Sequence, residues 1–334
     1  MRISGLSSLE SFALLGPGFG GGRFLLLTGL RETADPPGLV FAPFESRGAE
    51  ARRYAAGERR RVDPEFEPPS RPIEVSLPDE GYRSKIERIR EAIAAGDVYQ
   101  VCYTVRAEVG PSSGADLLAA MCARGVPRFA AWVRLPGADE FVSASPELFF
   151  ETSGRRIHTE PMKGTARGGD ASLEISEKDR SELAMITDLL RNDLTPICRP
   201  RSVHVACERR LIRLPYALQT VSDVEGTLAG GVTPLDALDA LHPGGSVTGA
   251  PKRAALRMIR DLEDRPRGAY CGALGLCDGE RSTFSLLIRT AARAADRWLY
   301  GVGGGIVYDS DAEAEREELR IKIGALLPDS SPGL

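Results

Sequence analysis

Short apolar or alternating segments, bounded by glycine and proline, follow one another along this chain in runs that only single helical patterns interrupt. Val98-Tyr99-Gln100-Val101-Cys102-Tyr103-Thr104-Val105 alternates as a half-buried strand whose second face carries Gln100, Cys102 and Thr104. Phe24–Leu27 and Leu39–Ala42 are apolar runs of strand length, and further strands are predicted over 129–135, 140–143, 148–151, 156–159, 269–277, 283–290 and 298–302. A helix spans about 78–95, with Tyr82, Ile86, Ile89 and Ile93 on one stripe and Gly96 as its stop. Others cover about 173–191, 233–241, 251–263 and 311–327. Strands grouped in this way, with no βαβ alternation and no internal repeat, predict an α+β fold with large antiparallel sheets.

The 334 residues are enough for a large core. Residues 46–72, rich in Arg, Glu and Pro, read as a solvated linker, closing an N-terminal portion of 1–75 ahead of a main unit of 76–330. Gly18-Phe19-Gly20-Gly21-Gly22 lacks the GK[ST] ending of a phosphate loop and reads as a flexible turn. A net charge of −4 gives no reason to expect nucleic acid or a membrane surface as partner. No apolar run is long enough to span a bilayer and no signal peptide is visible, so a cytoplasmic location is expected. The six cysteines form no CxxC pair and read as buried free thiols. Three histidines make a multi-histidine metal site improbable but leave room for a hard cation held by carboxylates.

Chemistry concentrates in five places. Pro161-Met162-Lys163-Gly164-Thr165 puts a lysine on what reads as a tight turn, followed by a charged helix start. Asp179 and Glu182 there stand three apart, on one helix face. On the closing helix Glu315, Glu318 and Lys322 share a face. Glu318 and Lys322 alone are a plain surface pair, but two helices each offering acids at i and i+3 suit a Mg²⁺ cage completed by water. Gly303-Gly304-Gly305 before that helix reads as a nest of N–H groups for a carboxylate, or as a tight strand turn. Glu147, in Ser145-Pro146-Glu147 between strands, is a general acid or an arginine partner. Arg289, in the strand 285–290, faces inward or borders a cleft, where it pairs with carboxylate. Pro243–Lys252 is a glycine-rich loop leading into a helix, with Pro251 suited to the first helical position and the helix start suited to an anion.

Together, SASPELFFE, TEPMKGTARG, KDRSELAMITDLLRNDL, PGGSVTGAPKRAA, RGAYCGALG and GVGGGIVYDSDAEAEREELRIK resemble, in order, the chorismate-utilising enzymes. The resemblance covers roughly residues 79–327. It implies two large, mainly antiparallel sheets packed as a sandwich, helices outside and the active site in the cleft. It further implies Glu182 and Glu315 as Mg²⁺ ligands with Asp179 and Glu318 in support, and Glu147 as the acid that protonates the departing C4 hydroxyl. Tyr270, Arg289, Gly303, Gly304, Gly305 and Lys322 match positions that hold the substrate carboxylates, and Thr165 and Ser246 lie in matching motifs.

Within the family, isochorismate and salicylate formers carry a water-activating lysine where this chain has Gln100, so the nucleophile expected here is ammonia. Lys163 stands where anthranilate, isochorismate and salicylate formers read AGT, and the KGT of this chain resembles the aminodeoxychorismate synthases. There the lysine can add to C2 of chorismate before ammonia takes C4; the alternative is a simple carboxylate clamp. PGGS, ending at Ser246, points to the same branch. The expectation is a transferase aminating chorismate at C4 for p-aminobenzoate and folate synthesis, with ammonia from a separate glutamine amidotransferase subunit. Anthranilate-type amination is the alternative, and a catalytically impaired chorismate-binding homologue is a third reading. Gln219 replaces a usual histidine, and Ser8-Leu9-Glu10-Ser11 only faintly resembles the tryptophan-pocket segment.

Overall fold

The computed structural model describes residues 1–34, 38–69, 71–78, 81–137, 139–166, 177–214 and 218–326, without the side chains of Gly20, 164–166, 177–179 and 325–326. Two large antiparallel sheets dominate it. Sheet I runs, in spatial order, β16 (Gly249–Ala250), β8 (Gln100–Val109), β20 (Arg297–Ile306), β19 (Thr290–Ala294), β10 (Glu140–Ser145), β9 (Phe129–Arg134), β1 (Phe12–Leu15), β2 (Phe24–Thr28) and β6 (Glu58–Val62), with β7 (Val75–Ser76) also on β8. Sheet II runs β13 (Met162–Ala166), β15 (Leu218–Thr227), β12 (Arg156–Thr159), β11 (Leu148–Ser153), β18 (Arg281–Leu286), β17 (Ala273–Asp278), β4 (Leu39–Ala42), β5 (Arg52–Ala55) and β3 (Arg31–Glu32), with β14 (His204–Arg213) also on β15.

The period of two explains the packing. Ala13, Leu15, Leu25 and Leu27 of sheet I and Leu39, Phe41, Leu274 and Leu276 of sheet II share one buried cluster between the sheets. Their alternates, including Phe12, Leu14, Trp132, Val40, Phe150 and Phe284, belong to the core that includes the helices. Strands buried on both faces cannot alternate polar with apolar, which is why FALL and FLLL read as unbroken apolar runs. Outside sheet I lie α2 (Tyr82–Ala94), α3 (Gly114–Cys122), α6 (Lys252–Leu262) and α7 (Ala312–Leu326). Outside sheet II lie α4 (Glu177–Leu194) and α5 (Pro234–Leu241). The predicted α+β sandwich with helices outside is therefore the observed architecture. On the sheet II core, the Phe150 and Phe284 rings stack at 4.5 Å and are fully buried. Phe150→Ala is expected to lower stability by about 3–5 kcal/mol, read as a reduced urea midpoint at unchanged m-value.

Several local expectations are corrected. Residues 46–72 are not a linker: they supply β5 to sheet II and β6, on the rim of sheet I. Strands from residues 1–75 interleave with later ones in both sheets. Gly18 and Gly20 lie within a single helical turn, α1 (Pro17–Gly20), Gly21 caps it, and a strand rather than a long helix follows, unlike a phosphate loop. Among the elements the sequence reading missed are β1, β7, α3, β14, β15 and β19. Among the described residues no helix is long and apolar enough to cross a membrane, and the described cysteines are free thiols, all but Cys207 buried.

Candidate active site

The chain passes between the sheets at two adjacent corners. β10 of sheet I becomes β11 of sheet II through Pro146-Glu147, and β18 of sheet II becomes β19 of sheet I through Leu287-Ile288-Arg289. β10 pairs with β19 and β11 with β18, so the two corners lie side by side. Hydrogen bonds stitch them: Ala144 N donates to Arg289 O at 3.0 Å and Ser145 Oγ to Leu286 O at 2.6 Å. Arg289 is thus not a strand residue. It takes the turn itself, with a left-handed φ of 53° that no glycine signals in the sequence.

Glu147 occupies the other corner and is 5 % exposed. Burial pushes its carboxyl up to about 7, against the lowering pull of a Ser246 hydrogen bond and of the Lys163 and Arg289 charges. Ser246 Oγ donates to Glu147 Oε1 at 3.2 Å. Such a group keeps its proton far closer to neutrality than an ordinary carboxyl does and can deliver it, as a general acid must.

Lys163 sits on β13, not on a tight turn. β13 pairs with β15 in an irregular register, Lys163 opposite Thr220 and then Thr165 opposite Gln219, so a bulge lies at Gly164. Bulges re-aim side chains, and here the bulge adjoins Lys163. Its Nζ lies 3.5 Å from Glu182 Oε2 of α4. Both side chains are 17 % exposed. Gln219 is buried on the neighbouring strand. Residues 167–176, with the expected helix start, lie outside the described residues, as do the Asp179 and Thr165 side chains.

The third wall is β20. Its pairing with β19 stops at Ala291–Tyr300, so among the described residues Gly301–Ile306 have only β8 beside them. The glycine triplet lies in this strand; it is neither a nest nor a turn. Its missing Cβ atoms make way for the protein's own side chains. A Cβ on Gly305 would strike Gln100 Nε2, and one on Gly304 would stand 3.1 Å from Glu315 Oε2. On the same stretch Lys322 Nζ donates to Gly303 O at 2.8 Å and pairs with Glu318 at 2.7 Å. Glu315 is 6 % exposed and accepts from Ser310 Oγ at 2.7 Å. Gln100 is 3 % exposed, and its Oε1 has no hydrogen-bond partner among the described residues. An acceptor so placed suits a ligand. Tyr270 is buried against Gly301, with the Arg106 guanidinium 5.0 Å from its ring.

The glycine-rich loop joins these walls. Ser246 reaches Glu147, Gly245 packs on Leu189 of α4, and Gly249-Ala250 pair with Val101 and Gln100. Pro251 is the N-cap of α6, one place before the position expected of it. Lys252 is tied to Asp193 at 2.6 Å. The sequence reading missed the brace beneath the loop. Arg267, 2 % exposed, donates to Val247 O at 2.6 Å, to Cys102 O at 2.7 Å and to Glu263.

The nominated carboxylates come from two helices on different sheets. Among the described residues the one trio of metal-capable ligand atoms within 4.8 Å of one another is His158, Glu160 and Asp223, so Glu182, Glu315 and Glu318 form no such trio. The candidate site thus consists of a buried acid at an inter-sheet corner, a lysine–glutamate pair at the edge of sheet II and a strand flank of glycines in sheet I. The chain belongs to the chorismate binding enzyme family, which matches residues 40–328. It is 37 % identical over 292 residues to anthranilate synthase component 1 1 of Haloarcula marismortui, covering 83 % of this chain and 59 % of that one. It is 38 % identical over 259 residues to aminodeoxychorismate synthase of Streptomyces pristinaespiralis, covering 74 % and 36 %. The fold superposes with a TM-score of 0.79 on MenF, the menaquinone-specific isochorismate synthase from Escherichia coli, at 18 % identity, covering 98 % of this chain and 90 % of that one. The chain spans 36–59 % of the length of the first three curated relatives it matches.

Proposed function

We propose that this chain aminates chorismate at C4, as an aminodeoxychorismate synthase component I, using ammonia from a glutamine amidotransferase subunit and feeding p-aminobenzoate and folate synthesis. The observation that carries the reading is Lys163, held beside Glu182 and near enough to Glu147 for its charge to act on that carboxyl. Having given up its proton to solvent, the Lys163 amine forms a bond to C2. Both ring double bonds shift, the C4–O bond breaks, and the hydroxyl leaves as water with the Glu147 proton. Ammonia then bonds to C4, the C2–N bond breaks, Lys163 leaves as an amine, and the ammonium proton returns to Glu147. Arg289, Lys322, Tyr270 and the backbone N–H groups on the free edge of the Gly303–Gly305 stretch orient the carboxylates, while Gln100 offers no base to activate water.

The donor chemistry suits magnesium. Glu182 and Glu315 offer hard carboxylate oxygens from two helices and would hold the ion together with water. Glu318, already paired with Lys322, and Asp179 would act in support. When bound, the ion supplies positive charge to the ring carboxylate and eases departure at C4. Glu182→Gln is expected to raise the Mg²⁺ concentration for half-maximal activity by about tenfold or more. An unchanged metal titration removes that assignment.

The deciding experiment incubates the chain with chorismate, Mg²⁺ and ammonium salt and identifies the product by mass and by reaction with the downstream lyase. 4-Amino-4-deoxychorismate supports the reading. Anthranilate replaces it with the chemistry named for the Haloarcula relative, and tight chorismate binding without turnover reduces the chain to a binding homologue.

A further inference from the structure

β13 is a poor platform for a reactive amine. It ends sheet II, has β15 as its one strand partner among the described residues and has an irregular register next to Lys163. Its partner strand therefore leaves the direction of Lys163 under-determined. The chain just before it is, by contrast, gripped hard. Glu160, three residues upstream and 8 % exposed, takes Arg128 on one oxygen and Arg210 on the other. Arg128 immediately precedes β9 of sheet I, whereas Arg210 belongs to β14 of sheet II, so this one carboxylate ties both sheets to the entry of β13.

The grip is itself held from behind. Arg210 meets Asp223 of β15 with two nitrogens, Nε to Oδ2 at 2.7 Å and Nη2 to Oδ1 at 3.0 Å. Those bonds hold the Asp223 carboxyl below the usual range, although its burial works the other way. His158 Nε2 lies 2.9 Å from Asp223 Oδ1, and its Nδ1 lies 3.4 Å from Glu151 Oε1. Ser222 N donates to Pro161 O at 3.1 Å, fixing the residue between Glu160 and Met162.

The ligand atoms of His158, Glu160 and Asp223 are close enough for a metal ion. Arg210 and Arg128 already engage both oxygens of Glu160, and Arg210 both of Asp223, so cationic side chains fill the place a metal would take. The cluster is an anchor.

We infer that Glu160 and Arg210 are positioning residues for Lys163, clamping the entry of β13 so that the amine faces the cleft beside Glu182. The inference rests on the proposed nucleophilic role of Lys163 for its catalytic consequence, but not for its geometry. Glu160 touches no reacting atom. Neutralising it keeps its shape but weakens both guanidinium contacts, and a misplacement of about 1 Å at a reacting group costs up to ~10²-fold in rate.

The test compares wild type with Glu160→Gln, Glu160→Asp and Arg210→Lys. Turnover of chorismate with ammonia is measured alongside reductive dimethylation of each lysine, followed by peptide mass spectrometry. Glu160→Gln is expected to lower kcat about 10- to 100-fold with KM changed less than about threefold, and to alter the labelling rate of Lys163 but not of Lys85. Glu160→Asp should recover part of both, and Arg210→Lys, which loses the two-nitrogen grip, should resemble Glu160→Gln. An unaltered Lys163 labelling rate overturns the inference. So does a uniform rise in labelling at every lysine with a matching fall in Tm, which marks a merely structural role. If wild type makes no aminated product, the functional reading fails while the Lys163 labelling pattern still decides the positioning role.

Discussion

Lys163→Ala is expected to cut chorismate turnover with ammonia by roughly 10³-fold or more and to abolish any covalent substrate adduct detectable by intact mass. The amine is the one part of the site that can bond to C2, and neither Glu147 nor Gln100 can replace it. Chorismate affinity should change far less, because the groups proposed to hold the carboxylates, Arg289, Lys322 and the β20 amides, are retained. Calorimetric titration with chorismate checks that half of the expectation. Lys163→Ala also removes a cation 3.5 Å from Glu182, leaving that carboxylate freer to take a metal. A variant that forms 4-amino-4-deoxychorismate at the wild-type rate would leave Lys163 as a carboxylate clamp.

Glu147→Gln is expected to lower kcat by about 10²–10⁴-fold, the usual worth of a positioned proton donor. The pH dependence follows from burial. With its carboxyl at about 7, Glu147 is protonated and competent below that pH, so wild-type kcat should fall as pH rises through 7. The glutamine variant should lack that descending limb. Stability carries the same sign: a carboxyl raised above its ordinary 4.5 leaves the fold most stable below that pH, and stability is lost progressively between 4.5 and about 7. Glu147→Gln should therefore be no less stable than wild type at pH 8, by thermal melting. A kcat profile that stays flat through neutrality in wild type would remove the acid role.

What the sequence disclosed and what it hid follow from the same physics. Apolar runs and alternation identify the sheets because most strands are covered on both faces or alternate cleanly. β14 escaped because as HVACERRLIR it lines an edge, half-exposed and charged, with little apolar content to signal it. The arginines of β6 escaped for the same reason. Glu147 was legible as an inter-strand acid because Pro146 breaks the run before it. Arg289 was misplaced in a strand because LLIRT carries no breaker, and the residue itself adopts the left-handed turn. The glycine triplet was ambiguous because lack of a Cβ suits a nest, a turn and a crowded strand equally; only the positions of Gln100 and Glu315 decide. Glu160 was invisible because its partners, Arg128 and Arg210, come from segments far apart in sequence.

The interleaving of early and late strands sets the order in which the molecule can be made. Leu14 meets Trp132 and Val40 meets Gly275, so segments that leave the ribosome first wait for partners synthesised far later. Until β9 and β17 arrive, the oily FALL and LVFA segments each lack a strand partner. Assembly of such distant pairs is intrinsically slow and leaves adhesive surface open meanwhile, so recovery of active enzyme should depend on chaperones and growth temperature more than the finished sandwich suggests.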